Sequence, residues 1–584
     1  MSRNKGQSRE KYSDNEYSDN YVEKKKYDSE SDKKECECHM TKNLEELYQY
    51  NKYRLLVDPE LLVAGSNAFV TATNTITEVI PKEFAITLEN SFVQHNIDHL
   101  HFYSPFHVRK SGIYNYYFVI NCEEAAQVCV FVNGLVEELN RVGNNSGAGQ
   151  LVMKGLLHLN KDDCVVIRNN ESSLAAITST TNVGGTKIGN PSSFLLVMIS
   201  PLVQPVVEEE CLSRKEMKVI KKLTQLLTCD TDLMLYGYNK MGSFFTKVVQ
   251  NIDINNDVLW DNYLNVNGME LDTLTPNNIK ILEDGFYKIV FVTNVNKPAQ
   301  FVITINGIPI EHTIQGVNKG ASQLSIRCIE PLKKGDFVSI RNYGSVTPIT
   351  ITADAGGSVT NVAAILTLHK ISPLNKTIAC YTGKLNYCKK HYYKNIYTKL
   401  KNYLLTQPEY MIAGSKALIS VMSDTRQDIV LEQPISWDLA DFNINFTFLA
   451  GSYSAIINVS GIYELTFDIL CNQAPQVTMF VNGVPDNTTT TGRNSGSSRM
   501  LMKQNVRLMK GDVVSFLNHT SNAGTLSTAI NAGGILVGKN RTFILFLLTP
   551  IAECNPITYK SMKCLENKTP VVKIEPPKKE YEFY

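Results

Sequence analysis

The segment APQVTMFVNG occupies residues 474–483 and ends a run of apolar and β-branched residues with Asn-Gly. Asn-Gly is typical of a tight β-hairpin, because both central residues of the favoured turn need positive φ. The same ending recurs as FVNG at 131–134 and as TING at 304–307. Three such endings in one chain indicate an internal repeat rather than an isolated turn.

The repeat extends on both sides of the hairpin. Gly134, Gly307 and Gly483 are spaced by 173 and 176 residues. Upstream, each copy has the motif SGIY or DGFY, and downstream each has NKDD, KKGD or MKGD followed by NVGG, DAGG or NAGG. In the Lys-Gly-Asp turns we expect Gly335 and Gly511 to supply positive φ, with Asp162 in their place in the first copy. A period this long indicates a tandem array of domains, since solenoid repeats span about 20–50 residues.

Each copy is predicted to be all-β. Segments such as IYELTFDIL are rich in β-branched and aromatic residues and partly alternate apolar with polar. Many short strands separated by frequent turns are typical of a sandwich or barrel. Charged stretches at 41–54, 213–225 and 389–402 precede the copies and are predicted as short helices. The predicted division is a leader at 1–42, heads at 43–203, 204–376 and 377–553, and a tail at 554–584.

The ordered motifs resemble a known family. Residues 335–371, GDFVSIRNYGSVTPITITADAGGSVTNVAAILTLHKI, and residues 511–548, GDVVSFLNHTSNAGTLSTAINAGGILVGKNRTFILFLL, are similar to the C-terminal head of the collagen-like glycoproteins of bacterial spore exosporia. That resemblance implies a ten-strand jelly roll like those of tumour necrosis factor and the complement globular heads, assembled as a trimer. Three departures stand out: the chain has no Gly-x-y segment, it carries three heads, and it shows no recognisable family anchor.

Composition restricts the possible functions. Apolar residues make up 43% of the chain and the net charge is +1, so the long-range field of a nucleic-acid-binding protein is missing. No apolar run reaches the length of a membrane span. We expect no secretory signal peptide, because the N-terminus lacks an apolar segment. The leader has almost no large aliphatic residues and is predicted to be disordered.

The 13 cysteines fall into two groups. Five lie within the heads and are interpreted as buried thiols: Cys122, Cys129, Cys164, Cys328 and Cys471. Eight lie at or near the junctions and are candidates for cross-linking in an oxidising setting: Cys36, Cys38, Cys211, Cys229, Cys380, Cys388, Cys554 and Cys564. Their connectivity stays open, because it cannot be deduced from spacing.

No pattern of catalytic residues recurs in the three copies, and we expect neither an enzyme nor a cofactor. The histidine-rich segment HNIDHLHFYSPFH is the weak metal candidate. His95, His99 and His101 could offer imidazoles to zinc or copper, but the other copies contain nothing similar, which favours solvent-exposed or turn histidines.

The sequence therefore predicts a non-enzymatic structural protein of a spore surface, made in the mother-cell cytoplasm, whose heads give cover or adhesion. The alternatives are a head or fibre protein of a large virus particle and a module that binds carbohydrate or another ligand between its domains. Expected partners are further copies of the fold, other surface-layer proteins and glycans. Linkers of about 25 residues or fewer are long enough for one chain to place its own heads around a pseudo-threefold axis, at about 3.3 Å per residue. A homotrimer of whole chains is the competing arrangement.

Overall fold

The computed structural model describes residues 44–58, 61, 66–99, 105–145, 147, 149–202, 212–228, 230, 233–235, 237–238, 240–353, 355–374, 387–407, 410–412, 414–496, 498–529 and 538–551. Within these ranges the chain alternates helices with strand-rich heads. The helices are α1 (Leu44–Val57), α2 (Arg214–Thr228) and α3 (Tyr387–Thr406). In the described part of the chain, no helix combines the length and apolar character needed to cross a membrane.

Head 1 follows α1 and contains strands β1–β13. They are β1 (Phe69–Asn74), β2 (Glu78–Pro81), β3 (Asn90–His95), β4 (Ile97–Asp98), β5 (Phe106–Val108), β6 (Gly112–Cys122), β7 (Ala126–Val132), β8 (Leu135–Val136), β9 (Val142–Asn144), β10 (Gly149–Leu159), β11 (Cys164–Asn169), β12 (Ala176–Ser179) and β13 (Ser192–Pro201). One sheet has the order β2-β12-β6-β13-β1-β3 with β10 also paired to β6, and the other has the order β4-β5-β11-β7-β8 with β9 beside β7. The pairings are antiparallel.

Head 2 follows α2 and repeats this pattern with strands β14–β26. They are β14 (Met241–Thr246), β15 (Gln250–Ile252), β16 (Asn262–Asn267), β17 (Met269–Leu271), β18 (Ile279–Ile281), β19 (Gly285–Val295), β20 (Ala299–Ile305), β21 (Ile308–Pro309), β22 (Gln315–Val317), β23 (Ser322–Leu332), β24 (Phe337–Asn342), β25 (Ile349–Ile351) and β26 (Ala364–Ser372). The orders are β15-β25-β19-β26-β14-β16 with β23 on β19, and β17-β18-β24-β20-β21 with β22 on β20. Each strand thus has its counterpart in head 1.

Head 3 follows α3 and contains strands β27–β39. They are β27 (Leu418–Ser423), β28 (Asp428–Val430), β29 (Leu439–Ile444), β30 (Phe446–Thr447), β31 (Ser454–Ile457), β32 (Gly461–Cys471), β33 (Gln476–Val481), β34 (Val484–Pro485), β35 (Thr491–Gly492), β36 (Ser498–Leu508), β37 (Val513–Asn518), β38 (Thr525–Ser527) and β39 (Arg541–Pro550). Here β28 and β38 form a separate pair beside the sheet β29-β27-β39-β32-β36, and the second sheet is β30-β31-β37-β33-β34 with β35 on β33.

Each head encloses its own apolar core between its two sheets. Trp260 and Trp437 lie fully inside the cores of heads 2 and 3. Two packed antiparallel sheets with this crossed order form a jelly roll. The predicted fold, three tandem jelly rolls joined by short helical segments, is therefore confirmed, whereas the exact domain boundaries stay predictions.

The Asn-Gly hairpins lie at the ends of β7, β20 and β33. Their asparagines Asn133, Asn306 and Asn482 have φ of 52°, 53° and 54°, and their glycines have φ of 81°, 77° and 79°. Gly335 and Gly511 have φ of 95° and 94°, and Asp162 has φ of 73°. Both central residues of each hairpin thus have the positive φ that favours Asn-Gly.

The three helices pack against one another instead of bridging the heads separately. Their apolar faces form one buried cluster that includes Leu55 of α1, Leu223 of α2 and Leu400 of α3. Ion pairs join α3 to both other helices: Lys399 to Glu216 at 2.9 Å and Lys389 to Glu46 at 3.0 Å. Because short helices are marginal alone, mutual burial accounts for their stability better than their own propensity.

Candidate functional site: the interface of the three heads

The central strand of each head is buried on both of its faces. In β32 the alternating residues Glu464, Thr466 and Asp468 are as buried as the apolar residues between them. One face of the strand covers its own core, and the other faces a neighbouring head, since Tyr117 of head 1 donates a hydrogen bond to Glu464 at 3.0 Å. The alternating sequence therefore directs polar side chains toward another head and not toward water.

A ring of backbone hydrogen bonds joins the three heads at the segments that precede β1, β14 and β27. In each bond, the N–H group of this segment reaches a carbonyl oxygen in the last long strand of the next head. The bonds run from Ser66 to Ile371 (2.5 Å), from Tyr238 to Leu548 (2.8 Å) and from Ser415 to Ile199 (3.0 Å). Head 1 thus bonds to head 2, head 2 to head 3 and head 3 back to head 1.

A second ring follows the same order at another level of the interface. Here the residue two positions before the last long strand of one head donates its backbone N–H to a carbonyl oxygen of the next head. The acceptor is the residue that directly precedes β9, β22 or β35. The bonds run from Asn190 to Ile314 (3.0 Å), from Val362 to Thr490 (3.0 Å) and from Lys539 to Arg141 (3.1 Å). Equivalent positions of the repeat form equivalent contacts, so the heads are related by a pseudo-threefold axis.

Two of the repeated Gly-Gly motifs lie at these contacts. Gly184 has φ of +72°, and a Cβ atom there would lie 2.1 Å from the carbonyl oxygen of Val317 in head 2. Gly356 has φ of +75°, and a Cβ atom there would lie 2.2 Å from the carbonyl oxygen of Pro475 in head 3. Glycine is therefore required at both positions for two reasons, the positive φ and the close approach between heads, which leaves no room for a side chain. The third motif lies outside the described residues.

An apolar layer surrounds the axis. Phe69, Met241 and Leu418 occupy the first positions of β1, β14 and β27 and belong to one buried cluster with residues of all three heads: Ile113, Tyr117, Leu156, Leu195, Val197, Ile199, Met234, Tyr238, Ile329, Ile371, Ile544, Phe546 and Leu548. Burial of such surface contributes about 25 cal/mol per Å², so this layer favours association of the heads.

Charged side chains lie buried at the axis, beside that layer. The Glu464 carboxylate of head 3 receives Lys288 Nζ of head 2 at 2.6 Å, and it also pairs with Lys503 of its own head. His369 Nδ1 of head 2 lies 2.9 Å from it. Burial alone would raise the pKa of Glu464, but Lys288 and Lys503 outweigh that effect and hold the pKa well below its ordinary value. Glu464 is therefore ionised and bound by groups of all three heads.

The charges differ between equivalent positions of the repeat. The position of Glu464 in β32 is occupied by Asn115 in β6 and by Lys288 in β19. By contrast, one position of the neighbouring strands is basic in every head: Lys154, Arg327 and Lys503. The interface is thus symmetric in its backbone and asymmetric in its charges, and each head has its own place in the ring.

A second buried carboxylate, Asp468, binds cations of heads 1 and 3. Lys154 Nζ lies 3.2 Å from Asp468 Oδ1, and Arg499 pairs with Asp468 Oδ2. Burial would raise the pKa of Asp468, but Lys154 and Arg499 lower it below the ordinary value. Burial lowers the pKa of Lys154 to about 7, opposed by the attraction of Asp468.

The interface role of these charged residues was not predicted from the sequence. A signal was present, since Lys288, Glu464 and Asp468 interrupt apolar strands and are not repeated at their equivalent positions. A charge that occurs in one copy only, within a strand that is otherwise apolar, indicates a partner that only another copy provides.

His95 and His99 are used within head 1, and the expectation of solvent exposure is wrong for His99, which is 5% exposed. His95 accepts Asn96 Nδ2 at 3.2 Å and lies against Phe69, while His99 is buried, meets Ser91 Oγ at 2.7 Å and stacks on Phe106. His101 lies outside the described residues, within which no three His, Cys, Asp or Glu side chains are grouped to hold a metal. A site that includes His101 stays a prediction.

All five head cysteines are free thiols, and four of them are buried as predicted: Cys122, Cys129, Cys328 and Cys471. The prediction is wrong for Cys164, which is partly exposed. Of the eight junction cysteines, Cys388 lies in α3 but its side chain is outside the described part, and the others lie wholly outside it: Cys36, Cys38, Cys211, Cys229, Cys380, Cys554 and Cys564. Their cross-linking stays a prediction.

Comparison with known proteins gave no matching family model and no matching curated protein. Among solved structures, the globular domain of zebrafish complement 1qA protein matches at 16% identity and TM-score 0.18, over 23% of this chain and 98% of that chain. Rabbit GITRL matches at 13% identity and TM-score 0.16, over 23% and 97%. The Eiger TNF from S. frugiperda matches at 11% identity and TM-score 0.18, over 24% and 96%. At such identities a likeness concerns the fold and carries no function.

Proposed function

We propose that this chain is a non-enzymatic structural surface protein whose three heads form one closed unit without a second chain. The observation that carries the proposal is the pairing of Glu464 of head 3 with Lys288 of head 2 and Tyr117 of head 1. The donors to this carboxylate come from different positions in different heads, so three copies of one head could not supply them.

A closed unit of one chain suits a protein for cover or adhesion, because the association of its heads does not depend on protein concentration.

A ring of three copies of head 3 would lose part of this complementarity. Each of its three Glu464 carboxylates would keep Lys503 of its own head but would lack Lys288 and Tyr117. Like charges in a buried site are costly, and unpaired buried charges cost several kcal/mol each. The like-charge cost is largest for rings of head 2 alone, where Lys288 and Arg327 would meet their own copies without a carboxylate at either position. A homotrimer made of rings of identical heads is therefore disfavoured.

The proposed location is the surface of a bacterial spore. Its support is the resemblance of residues 335–371 and 511–548 to exosporium head domains. Binding of a sugar between the heads is less well supported, because two cavities between them have volumes of about 10 Å³ each, the size of a water molecule. The heads then act through their outer surface, toward other surface-layer proteins or glycans.

The mass of the full chain in dilute solution tests the closed unit. Light scattering after size exclusion is expected to give one chain, 65.4 kDa, at every dilution. Three times that mass, falling on dilution, would reject the intrachain ring. The cysteines of the leader are kept reduced, so that disulfides do not add mass.

The location needs a separate experiment on the source organism. Antibodies against the three-head unit are expected to label the outer layer of intact dormant spores in immunogold microscopy, and a deletion strain serves as the control. Labelling confined to virus particles would replace the spore proposal with the viral alternative. Neither result would alter the conclusion about the mass.

A further inference from the structure

A small cavity lies on the pseudo-threefold axis and is lined by all three heads. It occupies about 10 Å³ and is bounded by two sets of equivalent residues and by two charged side chains: Gln150, Gln323 and Arg499; Val152, Ser325 and Leu501; and Lys154 with Asp468. The two sets come from β10, β23 and β36, the strands that carry the basic position of each head. The cavity has room for a single small occupant, such as a water molecule or a monatomic ion.

Several polar groups at this cavity lack a partner. Ser325 Oγ, which is 2% exposed as a residue, and Arg499 Nε form no hydrogen bond. Lys154 Nζ has its ion pair with Asp468 at 3.2 Å and no further partner. Buried polar groups are nearly always satisfied in folded proteins, so these groups indicate an occupant from solvent.

The unsatisfied groups can all donate a hydrogen bond, and Lys154 Nζ and Arg499 Nε, unlike Ser325 Oγ, cannot accept one. A water molecule would need acceptors for its own two hydrogens, whereas an anion only accepts. The charged acceptor at the cavity is Asp468, whose two oxygens each receive one cation, Lys154 at Oδ1 and Arg499 at Oδ2. The acceptors of the glutamines are used as well: Gln150 Oε1 receives the Ser325 N–H at 2.8 Å, and Gln323 Oε1 receives the Leu501 N–H at 2.6 Å.

The charge around the cavity is also unbalanced. Six buried cations interact with one another and with two buried carboxylates, Glu464 and Asp468, at the axis; the cations are Lys154, Lys288, Arg327, Arg499, Lys503 and Lys539. The half-buried Asp441 adds a third acid near Lys539. Arg327 lies over the Tyr117 ring at 4.6 Å, and its three side-chain nitrogens form no hydrogen bond. Positive charge thus exceeds negative charge in a site without bulk water.

We propose that the axial cavity binds one monatomic anion of the size of chloride, held by Lys154 Nζ of head 1, Ser325 Oγ of head 2 and Arg499 Nε of head 3. The anion accepts hydrogen bonds from donors of all three heads and so links the heads to one another. The site requires heads 1, 2 and 3 to meet, but it is independent of where the protein acts. It goes beyond the structural role proposed above, because it assigns a ligand to the assembly.

Unfolding of the full chain in a halide series tests the site. Chloride and bromide are each raised against gluconate at constant ionic strength, and gluconate is too large to enter the cavity. The unfolding midpoint is expected to rise with halide and to saturate, as for a ligand that binds the folded state only. Coincident midpoints in chloride and gluconate at every concentration would overturn the proposal.

Three variants separate the site from general salt effects. Ser325→Ala removes one donor with little change in volume and is expected to reduce the halide-dependent shift at least twofold. Lys154→Met is expected to abolish the shift, and Lys218→Met, on the exposed face of α2, is expected to keep it. An equal halide response in the wild type and in Ser325→Ala rejects the site, even where Lys154→Met does not fold.

Crystals of the wild type grown in bromide give a direct measurement. Anomalous diffraction at the bromine edge is expected to show one peak between Lys154, Ser325 and Arg499. A map with surface peaks and none on the axis would contradict the proposal.

Discussion

Ser415 of head 3 donates its backbone N–H to the carbonyl oxygen of Ile199 in head 1 over 3.0 Å. The whole of head 2 lies between these two residues in the chain, so this bond closes the ring. The equivalent bonds of Ser66 and Tyr238 connect neighbours along the chain. Closure places head 3 beside head 1, so the ring contains one interface for each of the three pairs of heads.

Glu464→Gln tests the charged centre of the ring. The amide keeps the shape of the side chain but leaves Lys288 and Lys503 without their counter-charge. We expect a loss of about 3–5 kcal/mol in the free energy of unfolding, the usual cost of breaking a buried ion pair. Chemical denaturation measures this loss.

Glu270→Gln is the matched control for that substitution. Glu270 pairs with Lys280 at 3.2 Å on the surface of head 2, where both side chains are about half exposed. Such pairs contribute about 0–1 kcal/mol. A similar small loss in both variants would mean that the buried carboxylate does not hold the heads together.

Gly356→Ala tests the close approach between heads 2 and 3, with Gly483→Ala as its control. Both glycines have positive φ, so both substitutions cost about 1–2 kcal/mol of backbone strain. At Gly483 nothing lies within 4 Å of an added Cβ, whereas at Gly356 the Pro475 carbonyl oxygen would be 2.2 Å away. We expect Gly356→Ala to cost about 1–3 kcal/mol more. Equal unfolding midpoints of the two variants in urea would show that the contact between heads 2 and 3 accommodates the added methyl group without loss of stability.

The repeat itself allowed much of the fold to be predicted. Asn-Gly endings, the Lys-x-Asp turns and the constant offsets are local features, so they located the hairpin turns and showed that the heads repeat one another. Contacts between copies were not predictable in the same way. Glu464 reads as one polar residue of an alternating strand, and only the fold shows that its neighbours are Lys288 and Tyr117.

The helices show the same limit. Their positions were predicted from the charged stretches that precede the heads. Their packing as one cluster depends on how the three heads are arranged, because the heads fix the ends of the helices. The sequence treated them as linkers, whereas Leu55, Leu223 and Leu400 share a buried core. The sequence therefore predicts local structure well and contacts between heads or helices poorly, because burial at those contacts depends on residues far away in the chain.

Cys36 and Cys38 carry a prediction about assembly outside the described residues. A Cys-x-Cys pair is poorly placed to close on itself, and a leader ahead of the heads is easily reached by a neighbour. We expect oxidised particles to show ladders on non-reducing gels, which collapse when both residues are replaced by serine. Cys122→Ser is the control, because that thiol is buried inside head 1. Wild type that migrates as a single chain from oxidised particles would refute the cross-link.

The pH dependence of stability tests the buried lysines. Burial lowers the pKa of Lys154 from 10.5 to about 7 in the folded protein. Between these values the unfolded chain binds more protons than the folded one, so the free energy of unfolding rises with pH through this window. Lys503 and Lys539, whose pKa values burial lowers to about 8, act in the same direction.

Lys154→Met removes one part of this rise, so its unfolding midpoint in gluconate is expected to increase less between about pH 7 and pH 9.5 than that of the wild type. The groups that face Lys154 are Asp468, Arg327 and Lys503, and they remain in the variant. Lys218→Met, at an exposed lysine, should keep the full rise.

Added chloride should make the wild-type unfolding midpoint rise less steeply with pH, because a bound anion favours the charged form of Lys154. A wild-type midpoint that falls over this range, or equal slopes in the wild type and in Lys154→Met, would show that Lys154 does not titrate in this window.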